Sequence, residues 1–267
     1  TMLRGLLKIL NVEKGEEKPV LLILANGFFM GIFLAAYKIV AYTLFLDQMG
    51  EYLREAIFIS GGLGIISTGI YAAAQRRMPF SRLIVINYIT IFVFIALTRV
   101  FYVYSEKDWV IFVLYVMYTP IMSILLLGFW GTFGRIFNLR QSKRIIGGID
   151  SGQLTATIIA FFTIPFFVGF LSDLSDLLIV GEFGIVIAGV FLVVIVSNFN
   201  LNQFDTHKVK RNQETRFVNL IKNNYVVYLS LFLFFSMLAF SFVEYSFLVV
   251  AEQQFPEQNK LVNFIST

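Results

Sequence analysis

Seven stretches of about 20 mostly apolar residues divide this chain, the length a helix needs to cross a bilayer. They cover residues 20–46, 56–74, 83–103, 109–137, 145–171, 183–199 and 225–250. The overall balance agrees with them. The chain is 58% hydrophobic and only 14% charged, whereas a soluble domain carries about 25% charge. So few charges cannot cover a water-facing surface, and 31 Phe with 12 Tyr suit a lipid-facing exterior. The expected class is an all-α polytopic membrane protein.

The loops between these runs alternate in charge. One set is basic: the N-terminal segment with Arg4, Lys8, Lys14 and Lys18, then "QRRMPFSR", "GRIFNLRQSKR" and "HKVKRNQETRFVNLIK". The other is acidic or neutral: "LDQMGEYLRE", "YSEKDW", "LSDLSDLLIVGE" and "EQQFPEQNK". The basic set holds sixteen of the 21 Lys and Arg. Cytoplasmic loops carry such an excess, so the N-terminus is expected inside, with helices one, three, five and seven running outward. This distribution also accounts for the net charge of +4 without invoking nucleic acid. The reading places the protein in a membrane, here the bacterial inner membrane, with the lipid bilayer as its first partner.

Several chemistries find no support. There is no cysteine, hence no disulfide or thiolate metal site. The single histidine, His207, lies in a basic polar segment and reads as a solvated loop residue. No nucleophile–base constellation or metal-ligand cluster is visible, so neither an enzyme nor a cofactor is expected. "SGGLGIISTG" lacks the Lys-Ser/Thr ending of a phosphate loop and reads as close helix packing through small residues. Pro120 and Pro165 fall inside helices four and five, where proline kinks are expected. The N-terminal stretch is no secretory signal. Its Leu3, Leu6, Leu7 and Leu10, with Arg4 and Lys8 beside them, read as a surface amphipathic helix, a frayed tail being the alternative.

Spacing sets the domain plan. Residues 1–18 form the amphipathic segment, 19–199 a six-helix unit, 200–224 a cytoplasmic linker and 225–267 the first helix of a second unit. That is the plan of major-facilitator-type transporters, whose halves are structural repeats. The expectation is twelve helices in all, with five following in a C-terminal half that packs on this one.

Two ionisable residues lie well inside the runs, Lys38 in "FLAAYKIVAYTLF" and Glu244 in "AFSFVEYSFLVV". Arg99 and Asp150 lie nearer the ends, where an interfacial anchor or a local ion pair explains them, Asp150 being close to Lys143 and Arg144. Intramembrane charges are expensive and usually mark a pathway. At about 1.5 Å per residue, Lys38 sits roughly 8 Å and Glu244 roughly 10 Å outward of its helix centre. Helices one and seven occupy equivalent places in a two-repeat carrier, so the charges should face each other across the pathway. Lys38 can then bind a phosphate that Glu244 displaces, or the pair can close an outer gate. The structural alternative is a salt bridge that only fixes packing.

From Glu244 onward, "FSFVEYSFLVVAEQQFPEQNKLVNFIST" resembles the seventh-helix region of the nucleotide transporter family, the ATP/ADP translocases of plastids and intracellular bacteria. The matching residues are Val243, Glu244, Gln254, Phe255, Pro256, Asn259, Phe264, Ser266 and Thr267. A second match, "FWGTFGRIFNLRQSKRIIGGIDSG", contributes Phe129, Trp130, Gly131, Lys143, Arg144 and Gly152. Lys38 falls where the family has a first-helix lysine. The resemblance implies a major-facilitator-like fold, carriage of nucleotides, often as ATP for ADP plus phosphate, and substrate roles for Lys38 and Glu244. It brings a family helix-four glutamate near Tyr118 and a helix-five asparagine near Gln153 or Leu154. Tyr118, Gln153 and Asp150 are therefore secondary candidates. The reading from another class is a transport-inactive anchor or sensor that keeps this fold and carries soluble domains beyond it.

Overall fold

The computed structural model describes residues 12–104, 107–168, 173–202, 223–254, 261–262 and 264. Seven long helices account for most of them: α1 Glu17–Met49, α2 Leu53–Arg77, α3 Phe80–Tyr104, α4 Lys107–Ile136, α5 Leu139–Val168, α6 Leu177–Asn198 and α7 Asn224–Gln254. Short 3-10 turns at Gly50–Tyr52 and Leu174–Asp176 lead into α2 and α6. Six stretches are long and apolar enough to cross a membrane. The first, Glu17–Arg77, holds both α1 and α2. The protein is an all-α polytopic membrane protein.

Each expected run is a helix, with two boundaries well off. α5 starts at Leu139, six residues before the apolar run, and α6 starts at Leu177 instead of residue 183. In α5 the added turn is polar, Leu-Arg-Gln-Ser-Lys-Arg, whereas in α6 it is apolar up to Glu182 and packs into the core through Leu177 and Leu178. Residue 171, residues 1–11 of the 1–18 amphipathic segment, His207 and most of the linker lie outside the described residues. α4 runs unbroken through Pro120.

The core sits around α1. From Phe33 to Leu46 every residue except Lys38 is buried, and α1 packs on α4, α5 and α6, with α2 beyond α4 and α3 against α4 and α6. Close approach depends on missing side chains. A Cβ at Gly31 would stand 2.7 Å from the Gln153 carbonyl of α5, and one at Gly184 of α6 3.0 Å from the Phe29 carbonyl of α1. With little hydrophobic driving force between helices in lipid, such backbone proximity and buried polar bonds do the joining. Asn26 is one such bond: its Nδ2 donates to the Ala188 carbonyl of α6 at 2.7 Å and to the Tyr88 hydroxyl of α3 at 3.3 Å.

The glycines of "SGGLGIISTG" divide by helix face. Ser60 donates to the Val116 carbonyl at 2.8 Å and to Thr119 at 2.9 Å, and a Cβ at Gly64 would be 3.4 Å from Thr119. Gly61, Gly62 and Gly69 meet nothing within 4 Å. The small-residue packing expected of the whole motif therefore holds for one face only, because steps of about 100° per residue turn the others away from α4.

α7 stands apart from the six-helix unit over most of its length. Met237, Phe240, Phe242 and Val243 are all more than 60% exposed, and contact with the unit comes only near the acidic-loop end. There Leu248 and Ala251 are buried, and Phe247 stacks on Phe264 with centroids 5.1 Å apart.

Candidate functional site

Where α7 meets the unit, the two intramembrane charges meet as well. Lys38 Nζ lies 3.3 Å from Glu244 Oε1. Their helices differ by 206 positions in sequence, so the similar depths inferred from helix rise become direct contact. Lys38 is the one half-exposed position in a buried segment: Ala36, Tyr37, Ile39 and Val40 beside it are fully buried. Those four face α4, α5 and α6, which leaves the lysine the side that α7 approaches.

A cluster of tyrosines surrounds the pair. Tyr42, one turn along α1, donates from its hydroxyl to the same Glu244 oxygen at 3.3 Å. Its ring centroid is 5.0 Å from the Lys38 ammonium, within cation–π range. Behind it, Tyr115 and Tyr118 of α4 lie with ring centroids 4.9 and 5.5 Å from that of Tyr42. Tyr118 also meets Tyr37, whose hydroxyl donates to the Leu114 carbonyl at 2.8 Å. Tyr115 stacks on Phe45 at 4.2 Å. The Glu244 carboxylate thus shares one oxygen between an ammonium and a phenol, over an aromatic wall built by α1 and α4.

Of the secondary candidates, Tyr118 joins the cluster. Gln153 does not touch it. Its carbonyl faces Gly31, seven residues and so roughly 10 Å along α1 from Lys38. Asp150 is half-buried near the basic end, and the expected local partnership fails. Arg144 binds Glu13 and Glu16 instead, while Gln141 donates to Glu16 at 2.9 Å. The reason is the earlier start of α5: Arg144 and Asp150 then share one helix at about 120° from each other, on different faces. Arg99 does form a local pair, 3.5 Å from Asp176.

Tyr42 and Tyr115 escaped the reading of the sequence. Tyr42 had a signal, since Lys38 and Tyr42 are four apart and share a helix face. Glu182 was missed for a different reason: it was assigned to a loop and lies inside α6, where its Oε1 is buried without a hydrogen-bond partner.

The fold and the site define a helical integral membrane protein with an ion pair inside its span. No family model, curated protein or solved structure matches the chain.

Proposed function

We propose that this protein is a transmembrane carrier of nucleotides or a related phosphorylated anion, working by alternating access as an exchanger. The observation that carries the reading is the Lys38–Glu244 pair, which links the first helix to the seventh at 3.3 Å inside the membrane span. Keeping two charges there is costly, and such residues usually serve a pathway. Each side chain is still about one-third exposed (32% and 30%), so the pair is reachable. A phosphate arriving at Lys38 displaces Glu244, breaks the contact with α7 and frees the two helices to move apart. Return of the carboxylate releases the phosphate. The Tyr42 hydroxyl, freed from Glu244, supplies a donor to the incoming anion. Contact near one end of α7 only supports a rocking motion about that end. In this reading the basic loops face the cytoplasm of a bacterial inner membrane.

The test is uptake of labelled ATP, ADP, AMP and phosphate into proteoliposomes holding the full-length protein, with Lys38→Ala alongside. Uptake of at least one of these, lost in Lys38→Ala, is the expected result. A folded wild-type protein that moves none of them overturns the proposal.

One observation favours the second reading, an anchor or sensor without transport. Glu244 neutralises the only ammonium in the tyrosine cluster, leaving little net positive charge for several phosphates. Under that reading the folded protein moves no anion, and the swap of the two charges described below leaves its biological role intact.

A further inference from the structure

A second site lies at the opposite, basic end of the helices. A cleft of about 580 Å³ opens between α2, the start of α3 and α4. Three rings line it, Tyr71, Phe80 and Trp130, together with Thr68, Gln75 and Ser123. Gly131 lets the Phe80 ring close the wall, since a Cβ there would stand 2.8 Å from its Cζ. The Arg135 guanidinium lies over that ring, its Cζ 3.7 Å from the centroid.

Two features separate this cleft from an ordinary groove between helices. Tyr71 is 7% exposed, yet its hydroxyl has no hydrogen-bond partner, and a buried hydroxyl without one is costly to keep. Tyr71 and Phe80 both line the cleft, and Arg135 packs on the Phe80 ring, so a donor and a cation belong to the same wall. The mouth is also strongly basic. Arg76 and Arg77 end α2, Arg82 stands in the first turn of α3 and Arg135 in the last turn of α4. The other cleft, between α3 and α6, differs on both counts: it is lined by apolar residues apart from Tyr88, whose hydroxyl is bonded to Asn26.

We propose that the α2–α4 cleft binds an anionic phospholipid, with an acyl chain among the rings and the phosphate held by Arg135 and the Tyr71 hydroxyl. The position suits this occupant. Tyr71 lies six residues, roughly 9 Å, from the end of α2, where Arg76 and Arg77 stand. Basic pockets at the cytoplasmic ends of membrane helices recognise anionic headgroups. The apolar lining takes a hydrocarbon chain, which free phosphate cannot supply.

The chain has two tryptophans, one of them in the cleft, so the site carries its own reporter. Trp109, and any tryptophan of the full-length protein outside these 267 residues, is replaced by Phe so that Trp130 is left as the reporter. This protein is reconstituted in phosphatidylcholine vesicles containing a small, equal fraction of either dibrominated phosphatidylglycerol or dibrominated phosphatidylcholine, and quenching of Trp130 is compared. Brominated phosphatidylglycerol is expected to associate about fivefold more strongly, the preference that one well-placed arginine confers. Arg135→Gln and the conservative Tyr71→Phe should each bring the ratio towards one. Equal association of the two lipids with the otherwise unaltered protein overturns the proposal. So does loss of the preference when millimolar glycerol 3-phosphate or inorganic phosphate is added, which would assign the site to a soluble phosphate.

Discussion

Exchanging the two intramembrane charges, Lys38→Glu with Glu244→Lys, separates packing from substrate contact. Two unit charges 3.3 Å apart attract by about 5 kcal/mol at an effective dielectric constant near 20. Desolvation offsets most of this. Exposed pairs net at most about 1 kcal/mol, and breaking buried ones costs about 3–5 kcal/mol. With about one-third of each side chain exposed, a coupling of about 1–2 kcal/mol is expected in this setting. Each single reversal places like charges together and should cost the most, about 3 kcal/mol. The exchange restores the attraction but not its surroundings. At position 244 an ammonium cannot accept the Tyr42 hydrogen bond, and at position 38 a carboxylate loses the cation–π contact. Those losses amount to about 1–2 kcal/mol. The exchanged protein should therefore unfold between wild type and either single reversal, several degrees below wild type at about 2–4 °C per kcal/mol. Thermal unfolding of the four purified proteins in detergent reads this directly. Single reversals as stable as wild type, or an exchanged protein no better than either of them, would refute the reasoning. Uptake by the exchanged protein then answers the separate question. Transport at normal rates rules out direct substrate contact by Lys38.

Other predictions test the fold around the site. Gly31→Ala puts a Cβ 2.7 Å from the Gln153 carbonyl and should destabilise by about 1–3 kcal/mol. Gly61→Ala enters open space and should be neutral, or stabilising by up to about 1 kcal/mol; thermal unfolding of the pair checks both. These 267 residues hold no cysteine, so in a protein whose remaining cysteines, if any, are replaced by serine an introduced thiol is a clean probe of sidedness. Arg77→Cys and Glu51→Cys, both exposed, should react with a membrane-impermeant maleimide from opposite sides of the membrane, Glu51→Cys from outside; labelling of both from one side would overturn the topology.

Hydropathy made the helices legible because the bilayer demands long apolar runs and tolerates few charges. It failed where that demand ends. Leu139 to Arg144 form helix with charged side chains because they sit past the hydrocarbon, and no apolar run marks them. Glu182 was misassigned for a related reason, since partial burial beside α3 allows a carboxylate inside α6. Lys38 and Glu244 stood out as isolated charges in apolar surroundings, and helix rise was enough to match their depths. The tyrosines around them did not stand out. In a chain with 43 Phe and Tyr, a ring facing a binding site has the same local pattern as one facing lipid. Only the approach of α4 to α1 tells Tyr115 from the rest, whereas Tyr118 was picked out by the family resemblance and not by its local pattern.

The long sequence separation within the central ion pair also bears on how the protein is made. α1 leaves the ribosome well before the helices that bury it, α4, α5 and α6, and before the carboxylate that neutralises Lys38. Glu244 lies 206 residues downstream, so at about 5–20 residues per second Lys38 waits roughly 10–40 s for its partner. During that interval the lysine has to be accommodated by the insertion machinery or by its own reach towards the headgroups. At roughly 8 Å outward of its helix centre, Lys38 is about 7 Å from the edge of a hydrocarbon core about 30 Å thick, a gap that only a fully stretched side chain covers. The charge that anchors the finished site is thus a burden on an early stage of assembly, and α1 depends on later helices to remain where it was inserted.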